Sequence, residues 1–325
     1  MARSVTVIVF SMTPWCVVAQ AEQTAPLEVS VQANQPTGRL IQPIWNRVNC
    51  SGADMSSYDP FTRETILLYA TGGRPPWDTM LTNDPAGRAV YNFTPLDTRI
   101  DQALTNNWRL RLMIVIPSAL SEKPRDQEFH YGNPCPPRDW DAYAAYIESV
   151  FKHLVERYTQ PVVANWTFRL MSEPDNRAHW IGTLEEYERL YDTTLSAARR
   201  SVPGLALDFG NFMLPGGDWP GKLAQWATAS AKPYAVGALP RTFNALSLSC
   251  YGFLEKSGKE GDGQMGNDPR NLAGVVADLR RRMSPLGDLP VVIEEGCLLR
   301  DENNRRLWGG EATELGAAWY AAVFK

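Results

Sequence analysis

Two carboxylates in this sequence stand where an apolar run stops. Glu173 follows "RLMS" and precedes Pro174-Asp175, while Glu295 ends "VVIEE" beside its neighbour Glu294. A pair of carboxyl groups at two different strand ends can divide glycosidic bond cleavage between them. One stays protonated to donate to the leaving oxygen, and the other stays ionised to attack the anomeric carbon. Burial of the first and hydrogen bonds to the second would push their pKa values apart. Glu294 and Glu295 are adjacent, so strand alternation turns only one of them inward. Other expected strand ends present Trp45, Ser172, Asn211 and Tyr251, and Trp77 and Trp180 lie in adjoining loops. These side chains can hydrogen-bond a hydroxyl or stack on the apolar face of a sugar ring. Each of the three tryptophans is equally suited to packing, and Glu173 to a structural ion pair with Arg169 or Arg177.

Other chemistries find little support. "GDGQMG" at 261–266 has the letters of a dinucleotide-binding loop, but it follows a polar loop and not a strand. His130, His153 and His179 are scattered, with no His-Glu-x-x-His and no Cys-x-x-Cys spacing to hold zinc. No Gly-x-Ser-x-Gly elbow exists for a serine hydrolase. The pattern therefore implies neither a metal nor an organic cofactor. His179 is near enough to Glu173 in sequence to line a cleft, without an assigned role.

Seven apolar runs must position these groups: 39–45, 65–71, 110–116, 166–171, 205–210, 245–251 and 289–295. They are apolar almost throughout, as strands of a parallel sheet covered on both faces should be. Helices between them carry start signals. These are Thr94-Pro95, Asp139 before an apolar stripe, Thr183 with Glu186 as a capping box, and Asp268-Pro269. Strand and helix in alternation predict a single α/β domain over 22–325, a (β/α)8 TIM barrel. The run "TELGAAWYAAVFK" reads as a helix leading towards a further strand. Seven strands leave two arrangements, a barrel truncated before its last strand and helix or an open sheet. The expectation is the truncated barrel, because a helix packed outside a barrel leads into the next strand.

The 325 residues carry a net charge of -4, with 44% hydrophobic and 21% charged residues. Nothing basic enough for nucleic acid or an anionic membrane surface is present. Arg3, the apolar "VTVIVF" and "VVAQA" before Glu22 read as a signal peptide over 1–21, too short to span a bilayer. A secreted or periplasmic protein is expected. Removal of the leader leaves Cys50, Cys135, Cys250 and Cys297, for which an oxidising compartment predicts at least one disulfide of open pairing. Oligomeric state has no signature here.

The residues around the carboxylates resemble the large retaining clan of glycoside hydrolases built on eight-fold barrels, and family 39 in particular. That family carries an Asn-Glu-Pro-Asp-like motif after its fourth strand and a Thr-Glu motif after its seventh; here these positions read "MSEPD" and "VVIEEG". The resemblance implies that Glu173 is the acid/base and Glu295, rather than Glu294, the nucleophile. It also implies that Tyr251 in "SLSCYG" hydrogen-bonds the nucleophile. "PIWNRVNCSG" and "YNFTPLDTRIDQAL" look similar as well. Ser172 departs from the family's Asn, Ser249-Cys250 stand where a His is usual, and the final strand is missing. The function implied is a secreted retaining glycosidase acting on a poly- or oligosaccharide. The rival reading is a non-catalytic carbohydrate-binding protein on a degenerate barrel.

Overall fold

The structure is a computed structural model that describes residues 47–50, 64–123, 133–213, 217–229, 232–253, 271–296 and 298–300. All belong to one compact unit, Trp45–Lys325. The leader over 1–21, the run 39–45 with Trp45, the "GDGQMG" loop, His130 and the run 313–325 lie outside the described residues.

Strands β1 (Arg47–Cys50) and β2 (Glu64–Leu67) open the chain in parallel. The loop after β2 holds a hairpin of β3 (Leu81–Asn83) and β4 (Ala89–Tyr91), which the sequence reading did not anticipate. Each arm is three residues long, and the hairpin is pinned at its turn. Asp84 Oδ1 accepts from the Ala86 and Arg88 amides, and Gly87 takes a φ of 78°. Helix α1 (Thr94–Thr105) follows, with proline in its first turn as expected. Strand β5 (Arg109–Ile114) leads to α2 (Trp140–Tyr158), where Asp139 caps the Asp141 and Ala142 amides. A short α3 (Gln160–Val163) precedes β6 (Thr167–Leu170), and α4 (Leu184–Arg199) begins on the anticipated capping box. There Thr183 Oγ1 accepts from the Glu186 amide while Glu186 Oε2 accepts from the Thr183 amide.

Helix α5 (Asp218–Thr228) was not anticipated. Strands β7 (Leu246–Ser249) and β8 (Gly252–Phe253), helix α6 (Leu272–Arg282), and strands β9 (Val291–Glu295) and β10 (Leu298–Arg300) complete the described elements. Among the described residues no helix is long and apolar enough to cross a membrane.

β1, β2, β5 and β6 form one parallel sheet in that order, and β7 pairs in parallel with β9. The expected strand at 205–210 is not a regular strand. It and the residues just after it make isolated parallel bridges, Arg169 to Asp208 and Phe212 to Leu248, which join β6 to β7. Gly210 accounts for the interruption. A Cβ there would lie 2.9 Å from both the Leu170 carbonyl oxygen and Pro174 Cδ, so the backbone passes too close to β6 for a side chain.

Outer helices seal the apolar layer, with Tyr143, Ile147, Val150, Phe151 and Leu154 of α2 and Tyr187, Leu190 and Tyr191 of α4 all buried. The interior of the sheet is ionic. Arg111 from β5 donates to Glu294 of β9 (2.9 Å), Asp208 (2.6 Å) and Ser247 of β7 (2.8 Å). β5 and β9 are not neighbours in the sheet, so these contacts require it to curl round a shared interior. Inward side chains from alternate strands meet there in a layer, as in a barrel.

Candidate active site

Glu173 sits on a tight turn immediately beyond β6. Met171 and Glu173 take φ of 56° and 43°, a left-handed backbone that costs energy without glycine. Three hydrogen bonds hold it: the Met171 amide to Ile114 O (2.8 Å), the Glu173 amide to Asn211 O (3.0 Å), and the Asn176 amide back to Glu173 O (2.9 Å). Glu173 is 4% exposed. Asn176 Nδ2 donates to its Oε2 at 2.9 Å, and His179 Nε2 lies 3.1 Å from the same oxygen. Burial pushes the Glu173 pKa up, against the opposing effects of hydrogen bonds from Ser249 and Asn176 and the charge of Arg169. A carboxyl so placed favours its protonated form. Burial also lowers the His179 pKa to about 4, so its imidazole is neutral at pH 7.

The adjacent pair on β9 departs from simple alternation. β9 pairs with β7 through Leu248 and Ile293, but the next partners are Ser249 and Glu295. One extra residue, Glu294, is thereby accommodated as a bulge. Glu294 turns into the interior, where Arg111 Nε donates to Oε1 (2.9 Å) and Arg169 Nε lies 2.6 Å from Oε2. Burial would raise its pKa, but the Arg169 and Arg111 guanidinium groups outweigh it and hold the carboxyl ionised. Arg169 thus pairs with Glu294 and not, as the sequence allowed, with Glu173. Glu295 also reaches inward residues. Tyr251 donates its hydroxyl to Oε2 at 2.7 Å, and Oε1 is 3.3 Å from Asn211 Nδ2 and 3.5 Å from Ser172 Oγ. The expectation that only one of the two would turn inward is corrected by the bulge.

The sequence-derived candidates therefore separate. Glu173, Glu295, Ser172, Asn211 and Tyr251 come together at one end of the sheet. Trp180 does not join them as a stacking surface. It is 2% exposed, its indole N–H donates to the Thr183 carbonyl (3.0 Å), and its ring packs edge-on against Tyr187. Trp77, at 9% exposed, stacks on Tyr69 and lies under the Arg99 guanidinium. Both act as packing aromatics, leaving no face for a sugar.

Three residues at the site were missed as contributors: Asn176, His179 and Tyr69. Tyr69 follows β2 with a φ of 55°, and Arg74 Nη1 reaches its hydroxyl at 3.4 Å. Burial raises its pKa, and the Glu295 charge adds to the rise. Its signal was an aromatic two residues beyond the end of β2, the position that Tyr251 holds after β7.

Cys135 is a buried free thiol, so at most one bridge remains open among Cys50, Cys250 and Cys297. The side chains of Cys50 and Cys297 lie outside the described residues. Among the described residues no group of His, Cys, Asp and Glu has the arrangement of a metal site.

Residues 77–222 match the family model for Glycosyl hydrolases family 39, a span that includes Glu173 and Asn211. A beta-xylosidase of Geobacillus stearothermophilus is 32% identical over 120 residues, which are 36% of this chain and 24% of that protein. An alpha-1,4-L-rhamnosidase of Formosa agariphila is 25% identical over 186 residues, 53% of this chain and 36% of that protein. The chain spans about a quarter of the length of the curated beta-xylosidases it matches. The crystal structure of a monomeric beta-xylosidase from Caulobacter crescentus CB15 superposes with a TM-score of 0.58 at 19% identity, over 73% of this chain and 46% of that one. That likeness shows a shared fold. Residues 77–222 are thus similar to glycosyl hydrolases family 39, and the chain shares the fold of the solved beta-xylosidase.

Proposed function

We propose that the chain is the barrel of a retaining glycosidase, an exported (β/α)8 protein that cleaves a glycosidic bond of a poly- or oligosaccharide by double displacement. The observation that carries this reading is the contrast between the two carboxyl groups. Glu173 is buried with a raised pKa, while Glu295 accepts a short hydrogen bond from Tyr251.

In the first step Glu295 attacks the anomeric carbon as Glu173 gives its proton to the departing oxygen. Tyr251 holds Oε2, which leaves Oε1, with its longer contacts, as the attacking atom. In the second step the Glu173 carboxylate takes a proton from water, which attacks the anomeric carbon and releases Glu295. Retention requires the two carboxyl groups to be about 5–5.5 Å apart. The sugar stays unassigned, since the matched proteins are named for different ones, a xyloside and a rhamnoside.

The test is a panel of aryl glycosides and polysaccharides, with the anomeric configuration of the first product followed by proton NMR. Retention is expected, and its loss to inversion would sink the mechanism. Glu295→Gln should abolish turnover. The second reading, a non-catalytic binder, is favoured by Ser172 at the position where the family has Asn. A wild-type protein that binds sugar without cleaving it, and binds equally well as Glu295→Gln, would establish the binder.

A further inference from the structure

Asn211 is 0% exposed, and both ends of its side-chain amide meet polar groups. Its Oδ1 accepts from Arg169 Nη1 at 2.7 Å and from Ser172 Oγ at 3.0 Å. Two donors on one oxygen fix the orientation of the amide, because a flipped amide would place NH2 against a guanidinium. Arg169 is itself held from the other side by Glu294 at 2.6 Å and donates to the Met171 carbonyl. The Nδ2 group must then face the remaining partners, and it has two hydrogens to give. One points to Glu295 Oε1 at 3.3 Å, and the other to Ser249 Oγ at 2.6 Å. Since Ser249 Oγ accepts that hydrogen, its own hydrogen is directed elsewhere, and Ser249 hydrogen-bonds the Glu173 carboxyl. The main chain adds a second tie, from the Glu173 amide to the Asn211 carbonyl at 3.0 Å.

We propose that Asn211 is a positioning residue that sets both carboxylates of the pair at once, Glu295 through its own N–H and Glu173 through Ser249. Its lever is the buried Glu294–Arg169 ion pair, which locks the amide so that neither hydrogen can be withdrawn independently. The 3.3 Å contact to Glu295 is long, so it orients Oε1 without competing strongly with attack. This inference rests on the retaining-glycosidase reading, since it assigns the residue that aligns the acid and the nucleophile of that reaction.

The experiment uses a series of aryl glycosides whose leaving groups run from activated, dinitrophenyl, to unactivated, phenyl. kcat/KM on the activated member needs no proton and reports nucleophilic attack by Glu295. The slope of kcat/KM against leaving-group basicity reports proton delivery by Glu173. Asn211→Asp keeps the Oδ1 acceptor for Arg169 and Ser172 while removing both Nδ2 hydrogens and placing a like charge beside Glu295, an added repulsion that Asn211→Ala lacks. It should lower the activated rate on the order of 100-fold, the scale of a small misplacement of reacting groups, and steepen the slope as well. Asn211→Ala serves as the second variant, and thermal melting of both checks folding. Ser249→Ala should steepen the slope while lowering the activated rate less than Asn211→Asp does. A uniform loss across the series, or an effect on only one of the two readouts, would overturn the inference while leaving the glycosidase intact. A folded wild-type protein that cleaves none of the series removes the proposed function, and this inference with it.

Discussion

Glu294 and Glu295 are consecutive residues, yet one closes the ionic interior through Arg111 and Arg169 and the other stands beside Tyr251 and Asn211 at its rim. The shift in the β7–β9 register at Leu248 and Ser249 makes this possible. It predicts opposite phenotypes for two like substitutions. Glu294→Gln strips the charge partner from two buried guanidinium groups and should cost about 3–5 kcal/mol of stability. Glu295→Gln should leave the unfolding free energy measured in urea within about 0.5 kcal/mol of wild type and abolish turnover. Turnover that survives Glu295→Gln but not a stable Glu294→Gln would exchange their roles.

The pH profile follows from the raised pKa of Glu173. A general acid works in its protonated form, so activity should persist above the ordinary glutamate value of 4.5 and fall as pH rises through the elevated one. Asn176 donates to Glu173 Oε2 and so favours the carboxylate. Asn176→Asp removes that donor and adds a like charge. The alkaline limb of kcat/KM should move up by about one pH unit. A limb that moved down would show that Glu173 is not the titrating acid.

His179 ties stability to pH in a calculable direction. Its folded pKa of about 4 lies below the unfolded value of 6.5, so the fold prefers the neutral imidazole. This contribution is complete above pH 6.5 and is lost as pH falls towards 4, on the order of 3 kcal/mol over the interval. His179→Phe should show less loss of urea stability between pH 7 and pH 4 than wild type. Equal losses in the two proteins would show that the imidazole is not held neutral by burial.

Gly210 is demanded by contact, because its φ is not in the left-handed range. Gly210→Ala drives a methyl group against the Leu170 carbonyl and Pro174, at the turn that carries Glu173. A destabilisation of about 1–3 kcal/mol is expected, with kcat lowered because the acid is displaced. An unchanged melting temperature and kcat would mean that the turn yields freely.

Much of the scaffold was legible along the chain. Asp139, Thr183 with Glu186, and Thr94-Pro95 mark helix starts because capping needs only residues within one turn. The apolar runs at 65–71, 110–116, 166–171, 245–251 and 289–295 contain strands because both their faces are covered. The hairpin over 81–91 was missed because its arms are too short to show alternation, although its turn residues were in view. Trp180 illustrates the limit of composition. An aromatic beside a motif looks the same in sequence whether its ring is free or packed on Tyr187.

The sequence alone determined the alternation of the main parallel strands with helices α1, α2 and α4, the two strand ends that carry carboxylates, and the placing of Glu173 just beyond the fourth apolar run. These are properties of short windows, set by hydrophobic runs, caps and a proline. Tertiary structure decided the rest: that both Glu294 and Glu295 turn inward, that Arg169 pairs with Glu294, and that Asn211 touches the surroundings of both carboxylates. Each depends on register between strands far apart in the chain. A one-residue offset there reverses which way a side chain faces, and no local pattern records it.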